Sequence, residues 1–378
     1  MIIHLIIIIF VIVTILIIWY IIKSKNIENI ETMIDLSNSN KSLKWAIDKD
    51  CKYDMVNVYT DILKEYSINK ISSDNNDWII YFPCTYNEPL AEMKKIKPSS
   101  DNQRIFIVSN TDEIASKSML WQNLVKKYGR DEASKMSPVS YVLYDKDDKE
   151  LFKKEYDPNK IYIMKKNIQR QEGLMITKDK NEILNGFSNN YVVVQELLQD
   201  PYIIRGRKTN MRFYVLVVCQ NNSLNAYVHQ EGFMYYTRMP FEKNSQKDGI
   251  NITTGYIERW IYDINPLTHN DFKKYLDTYH QNSKIVYDRI YDLIRKVIIA
   301  CDKLCKDGSL KNNITFQLFG VDIALDDKLY PKIMEANVGP NLATHDKRDS
   351  DVKHKVVRDI FKVLQIVPNK DNGFDKII

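Results

Sequence analysis

The chain has 378 residues, room for one large domain or two moderate ones. An apolar fraction of 44% and a charged fraction of 27% are ordinary for a globular protein and exclude a disordered or fibrous chain. The net charge of +5, with lysines and acids interspersed, gives some attraction to acidic partners and excludes the concentrated basic face of a dedicated nucleic-acid binder.

Ile2 to Ile22 are apolar except for His4 and Thr14; Trp19 and Tyr20 stand near the end of the run, and Lys23 and Lys25 follow. Roughly 20 helical residues span a bilayer core of about 30 Å. A cleaved signal peptide fits less well, because no basic segment precedes the run and no small-residue cleavage site follows. The expectation is a single transmembrane helix over residues 1–25, with the remainder on the cytosolic, lysine-flanked side. Sequons such as Asn221, Asn251 and Asn313 are expected by chance in an Asn-rich chain.

Residues 26–76 are polar, broken at Ser37-Asn38-Ser39-Asn40, with weak helical spacing from Leu43 to Glu65; they read as a stalk and lead-in helices. Residues 77–160 read as a small α/β domain, with strands at Trp78–Phe82 and Arg104–Val108 and a helix at Ala115–Tyr128. From residue 161 the pattern is a strand ending in Lys165, a polar loop to Gly173, and a return strand at Leu174–Ile176. A buried strand follows at Tyr191–Leu198, then a basic run, Arg205–Arg212, leading into a strand at Phe213–Val218. Ala226–Tyr236 continues as strand, and Asp271–Leu304 has the apolar spacing of one long or two short helices, with Leu276, Ile285, Ile290, Ile294, Val297 and Ile298 as core. Residues 366–378 are a tail. The five cysteines contain no CxxC pair and no zinc set, so they read as reduced structural thiols in a cytosolic compartment.

The densest chemistry lies in Ile314–Leu342. Phe316–Leu325 and Leu329–Ala336 read as two strands around the polar turn Asp326-Asp327-Lys328. A two-residue loop at Asp327-Lys328 would set Asp322 opposite Ile333. Side chains alternate faces, so Asp322, Glu335 and Asn337 then share one face. Two carboxylates and an amide oxygen there make a hard-oxygen site suited to Mg²⁺ carrying nucleotide phosphates.

Phe-Gln-Leu-Phe-Gly-Val-Asp at 316–322 and Glu-Ala-Asn-Val-Gly-Pro-Asn-Leu at 335–342 resemble the strand ends of the tubulin–tyrosine ligase-like family, a branch of the ATP-grasp ligases. Asp349, Lys353 and Asp359 are similar to that family's D-x3-K-x5-D tail, and the resemblance runs over about residues 80 to 365. It implies an α/β (α+β) ATP-grasp fold over 161–365 behind the small domain and the anchor. It implies an ATP-dependent ligase with Mg²⁺ that joins an amino acid to a protein carboxylate through an acyl phosphate, an acidic tubulin tail being the default acceptor.

Residue by residue, Lys165 matches the family's phosphate-binding lysine, with Arg170 adding charge where a Gly-rich loop usually cradles phosphate. Gln195, Glu196, Leu197 and Leu198 match the adenine connector. Lys208 matches a second phosphate lysine, Arg212 the arginine on the acceptor or acyl-phosphate side, and Lys117 a helix-start lysine that approaches the site. Three substrate-side positions depart from the family pattern: Asn210 for Asp, Tyr235 for Arg, and Thr254 for Asn. These departures also fit a membrane-anchored, catalytically weak ATP-grasp binding module, or a ligase with a non-tubulin acceptor.

The anchor has a direct test. Residues 1–25 are expected to hold the protein in carbonate-washed membranes, with the remainder digested by protease from the cytosolic side. Protection inside sealed vesicles, or a glycan on Asn251, would overturn that topology.

Overall fold

The structure is a computed structural model that describes residues 42–52, 55–85, 88–168, 173–254, 258–368 and 371–378. The apolar run expected to be the anchor lies outside the described residues; among those described, no helix is long and apolar enough to cross a membrane. Residues 26–41 of the expected stalk also lie outside them.

The first strands are β1 (Lys44–Ile47), β2 (Asn69–Lys70), β3 (Ile80–Phe82), β4 (Arg104–Ile105) and β5 (Ser140–Val142). Next come β6 (Tyr162–Lys166), β7 (Leu174–Thr177), β8 (Tyr191–Glu196), β9 (Ile203–Ile204), β10 (Arg207–Gln220) and β11 (Ser223–Thr237). The last are β12 (Thr253–Thr254), β13 (Ile314–Leu325), β14 (Pro331–Val338) and β15 (Phe374–Lys376). They form two sheets. The larger runs β12-β11-β10-β13-β4-β3-β1-β2, with β14 beside β13, β15 beside β11 and β9 beside β10. The smaller is β5-β8-β6-β7. The strands of 77–160 are thus divided: β3 and β4 extend the large sheet, and β5 joins the small one.

Two local readings change. The spacing predicted a helix from Leu43, but Lys44–Ile47 is a strand, paired in parallel with both β2 and β3 and burying Trp45 and Ala46. Only α1 (Asn57–Glu65) of that stretch is helical. The basic run at 205–212 was expected to precede its strand. It lies mostly inside it, because Arg205 and Gly206, with φ of 46° and 78°, make a two-residue turn from β9 into β10. Lys208, Asn210 and Arg212 therefore alternate onto one face of β10.

The helices start where the sequence provides caps. Ser116 opens α2 (Lys117–Tyr128) by accepting from Met119 N. Thr268 and Asp271 form a capping box on α3 (His269–Thr278), Asn282 caps α4 (Ser283–Ala300), and Asp346 caps α5 (Lys347–Val363). Ile290, Ile294, Val297 and Ile298 of α4 pack in one core with Phe213 and Val215 of β10 and Phe319 of β13. Ile285, expected in that core, is 48% exposed, because it sits in the first turn of α4, ahead of the buried stripe.

The cysteines also differ from expectation. Cys51 is joined to Cys84 and Cys219 to Cys305, while Cys301 is free and buried. The partners stand 33 and 86 residues apart, a pairing that only the tertiary fold brings about.

The end of the chain is stitched to the sheet by one acid. Asp359 of α5 is 2% exposed and takes hydrogen bonds from Gly373 N at 2.9 Å and Lys362 Nζ at 2.9 Å, with His229 Nε2 at 3.1 Å. Burial alone would raise its carboxyl; these donors outweigh burial and hold it near 2. Its stabilising effect is therefore present above the unfolded carboxyl range and lost as pH falls toward 2. Asp359→Asn is expected to lower the melting temperature on the order of 5 °C at pH 7. The gap from wild type should close between about pH 4 and pH 2; a gap independent of pH would contradict this role.

Candidate active site

The hairpin β13–β14 sets the site. Its loop is five residues, Asp326–Tyr330, in place of the expected two-residue loop within Asp326-Asp327-Lys328. Asp326 Oδ1 accepts from Lys328 N and Tyr330 N, and Leu329 takes a φ of 62°. Pairing begins with Leu325 opposite Pro331 and Ile323 opposite Ile333. That register alone would put Met334 across from Asp322 and turn Glu335 to the far face. The register shifts between Asp322 and Ile323, and the extra residue in β14 brings Glu335 directly opposite Asp322, with Asn337 opposite Gly320. The expected common face is thus reached by a different register, with Asp322 facing Glu335 and not Ile333.

Cations surround this pair from both sheets. From β10, Arg212 donates Nε to Asp322 Oδ1 at 2.6 Å and its other arm to Oδ2 at 3.0 Å. From the start of α2, Lys117 Nζ lies 4.0 Å from Glu335 Oε2 and donates to the Ile168 carbonyl at 2.8 Å. Asn337 Nδ2 donates to Glu335 Oε1 at 3.2 Å. Lys165 on β6 of the small sheet is buried, near enough to feel Glu335, Lys117 and Asp322, and donates to Gln195 Oε1 at 2.7 Å. Lys208 is 2% exposed and has no carboxylate or hydrogen-bond partner for its ammonium among the described residues.

The electrostatics follow from cover. Burial pushes the Lys165 ammonium down to about 8; burial, with the charge of Lys165 added, does the same to Lys208. Burial also lowers Lys117. Burial raises Asp322 against the pull of Arg212, and the facing Glu335 pushes the same way. Glu335 itself stays below the usual range, because Lys117 and Lys165 outweigh the effect of burial. Buried ammonium groups lacking enough acid beside them form a receptor for an added anion.

The segment expected to face adenine, Gln195 to Leu198, is partly engaged within the protein. Gln195 spends its side chain on Lys165 and Ser140 Oγ, which steadies the lysine. Glu196 pairs with Lys160 at 2.7 Å. The Glu196 and Leu197 amides are used by Val139 and Ile161 carbonyls, and Leu198 carries the first amide past the strand with no backbone partner among the described residues. Leu197 is buried and Leu198 half-buried. Arg170 lies outside the described residues.

On the substrate side, Tyr235 lies opposite Asn210 across the β10–β11 ladder, and its ring is 5.2 Å from the Arg212 guanidinium. Asn210 Oδ1 is buried with no hydrogen-bond partner among the described residues. Thr254 pairs with Tyr236, one residue along. Gly320 was not singled out from sequence. A Cβ there would lie 2.8 Å from Pro340 Cβ and 3.1 Å from an Arg212 nitrogen, so its bare backbone makes room for both. Pro340 belongs to a loop that α5 pins: Lys353 Nζ donates to Ala343 O at 2.6 Å and pairs with Asp349 at 2.7 Å, and Asp349 Oδ2 accepts from His345 N at 2.8 Å.

Among the described residues no group of three or more His, Cys, Asp or Glu could hold a metal ion. Two facing carboxylates with one amide fit a hard cation that completes its shell with phosphate oxygens and water. Asp322, Glu335 and Asn337 are the residues that would hold it.

The sequence is similar to known proteins. The model of the tubulin-tyrosine ligase family matches residues 94–373. The chain is 26% identical to a probable tubulin polyglutamylase of Caenorhabditis elegans, over 91% of this chain and 87% of that one. It is 25% identical to a tubulin polyglutamylase of Homo sapiens over 73% of this chain and 34% of the relative, and 23% identical to a human tubulin monoglutamylase over 88% and 29%. The chain therefore spans most of the nematode relative and about a third of the human ones. With the family model matching from residue 94 to residue 373, most of the chain, the chain belongs to the tubulin-tyrosine ligase family.

Proposed function

We propose that this protein is an ATP-dependent ligase that joins glutamate to a carboxylate on a protein, an acidic tubulin tail being the acceptor class. The observation that carries the reading is the meeting of Lys117, Lys165, Lys208 and Arg212 with the facing acids Asp322 and Glu335 between the two sheets. Four cationic groups over a facing carboxylate pair match a polyphosphate with its cation. The names of the relatives support glutamate and tubulin.

In this reading Lys165 and Lys208 neutralise the phosphates, the end of β8 receives the adenine, and Arg212 steadies the acyl side. The acceptor carboxylate attacks the γ-phosphate, releasing ADP and leaving an acyl phosphate; the amino group of glutamate then displaces phosphate to form the amide. Asp322, Glu335 and Asn337 would hold Mg²⁺, which supplies charge neutralisation at the transferring phosphate. Placing the nucleophile in line and cancelling charge is the protein's main task.

Amino-acid-dependent release of ADP tests this directly, and separates a ligase from a binding module with the same shape. Tyr235 offers one neutral donor where an arginine offers a bidentate cation, so a ligand needing two arginines would bind roughly ten- to hundredfold more weakly. Glutamate is expected to stimulate ADP release at least about tenfold over tyrosine. Equal or greater stimulation by tyrosine would refute the choice of amine. Glu335→Gln is expected to keep the fold and lower turnover about 10²-fold or more; unchanged turnover would sink the role of Glu335.

The lysines give a pH signature. Both are cationic below about 8 and neutral above it. Affinity for a non-hydrolysable ATP analogue is therefore expected to fall roughly tenfold or more from pH 7 to pH 9.5, since a group charged only when bound costs a factor of ten per unit above its pKa. A flat profile would mean that the lysines do not bind phosphate.

A further inference from the structure

The Arg212–Asp322 pair presents a conflict. Both oxygens of Asp322 are taken by Arg212, at 2.6 Å and 3.0 Å. The guanidinium is also covered by the Tyr235 ring and packed over Gly320. Yet the proposed function asks Asp322 to hold a divalent cation and Arg212 to hold a carboxylate or acyl group. A fork-to-fork pair directs each charge at the other, so a cation at Asp322 and a carboxylate at Arg212 must each compete with it.

We propose that this pair is a latch: without metal Arg212 is stored on Asp322, and when Asp322 and Glu335 take a divalent cation Arg212 is released to the carboxylate substrate. This rests on the reading of Asp322, Glu335 and Asn337 as the metal set. The exchange has a physical drive. Glu335 faces Asp322, but its nearest described cation, Lys117, is 4.0 Å away, so the guanidinium satisfies one carboxylate of the two. A doubly charged ion held by these residues would neutralise both. Arg212 stays close, because β10 and β13 are paired at this position. The consequence is an order of binding: metal first, carboxylate second. An acceptor carboxylate then meets an arginine already held by Asp322 in a metal-free site.

The test reads Arg212 itself. Phenylglyoxal labels free guanidinium groups, and peptide mapping by mass spectrometry reports the rate at Arg212. Saturating Mn²⁺, added alone, is expected to raise that rate about tenfold, the scale of one charged hydrogen-bonded contact. Asp322→Asn should label quickly with or without Mn²⁺. In the reverse direction, Arg212→Gln, with its fold checked by circular dichroism, should bind Mn²⁺ about tenfold more tightly by electron paramagnetic resonance, because its competitor for Asp322 is gone. Mn²⁺ binding with labelling unchanged or slowed, or an Arg212→Gln variant that binds no more tightly, overturns the latch and leaves the metal site standing. Failure of both wild type and Arg212→Gln to bind Mn²⁺ overturns the latch together with the metal reading.

Discussion

Two carboxylates set directly opposite each other in a covered cleft are the constraint that the rest of the site answers. Like charges at a cross-strand pair repel, and removal from water makes the repulsion worse. Asp322 and Glu335 stand in that relation because β14 carries one extra residue before Glu335. Their neighbours are arranged accordingly: Arg212 on Asp322, and Lys117 and Lys165 toward Glu335. The lysines are then crowded in turn. Lys165 and Lys208 are both weakened as cations by burial, which leaves them responsive to an incoming anion.

The fold divides this work between its two sheets. The large sheet supplies Lys208, Arg212, Asp322 and Glu335 from adjacent strands, so their spacing is set by backbone pairing. The small sheet supplies Lys165, steadied by Gln195 on the neighbouring strand. The loop after β14 is pinned from behind by Asp349 and Lys353, which keeps Pro340 against Gly320 and leaves the space Arg212 occupies. The family-like tail thus holds the loop that packs beside Arg212, and its charges act on Arg212's surroundings.

The hairpin could be read from sequence because its signal is local: an apolar β-rich run, an Asp-rich turn, and acids on alternate positions. Lys165 could be read as a strand-end lysine for the same reason. The register could not, since a bulge leaves no mark on composition and Met334 is an ordinary strand residue. The pairing of Arg212 with Asp322 spans 110 residues and depends on β10 lying beside β13. Lys44–Ile47 was misread because four residues between two parallel neighbours need no alternation to be strand. The bonded cysteines lie too far apart in sequence for spacing to show them. The strand position of Gln195 was evident from sequence, while the reach of its side chain to Lys165 was not.

The central claim is that the charge cluster between the sheets serves the transfer of an amino acid to protein. It is tested most directly by mass spectrometry of tubulin, and of total cellular protein, after incubation with this protein, ATP and a mixture of isotopically labelled amino acids. The account predicts labelled glutamate in amide linkage to glutamate side chains of acidic segments, dependent on ATP and absent with Glu335→Gln. A folded, ATP-binding protein that leaves every acceptor unmodified, or that attaches tyrosine efficiently, would contradict it.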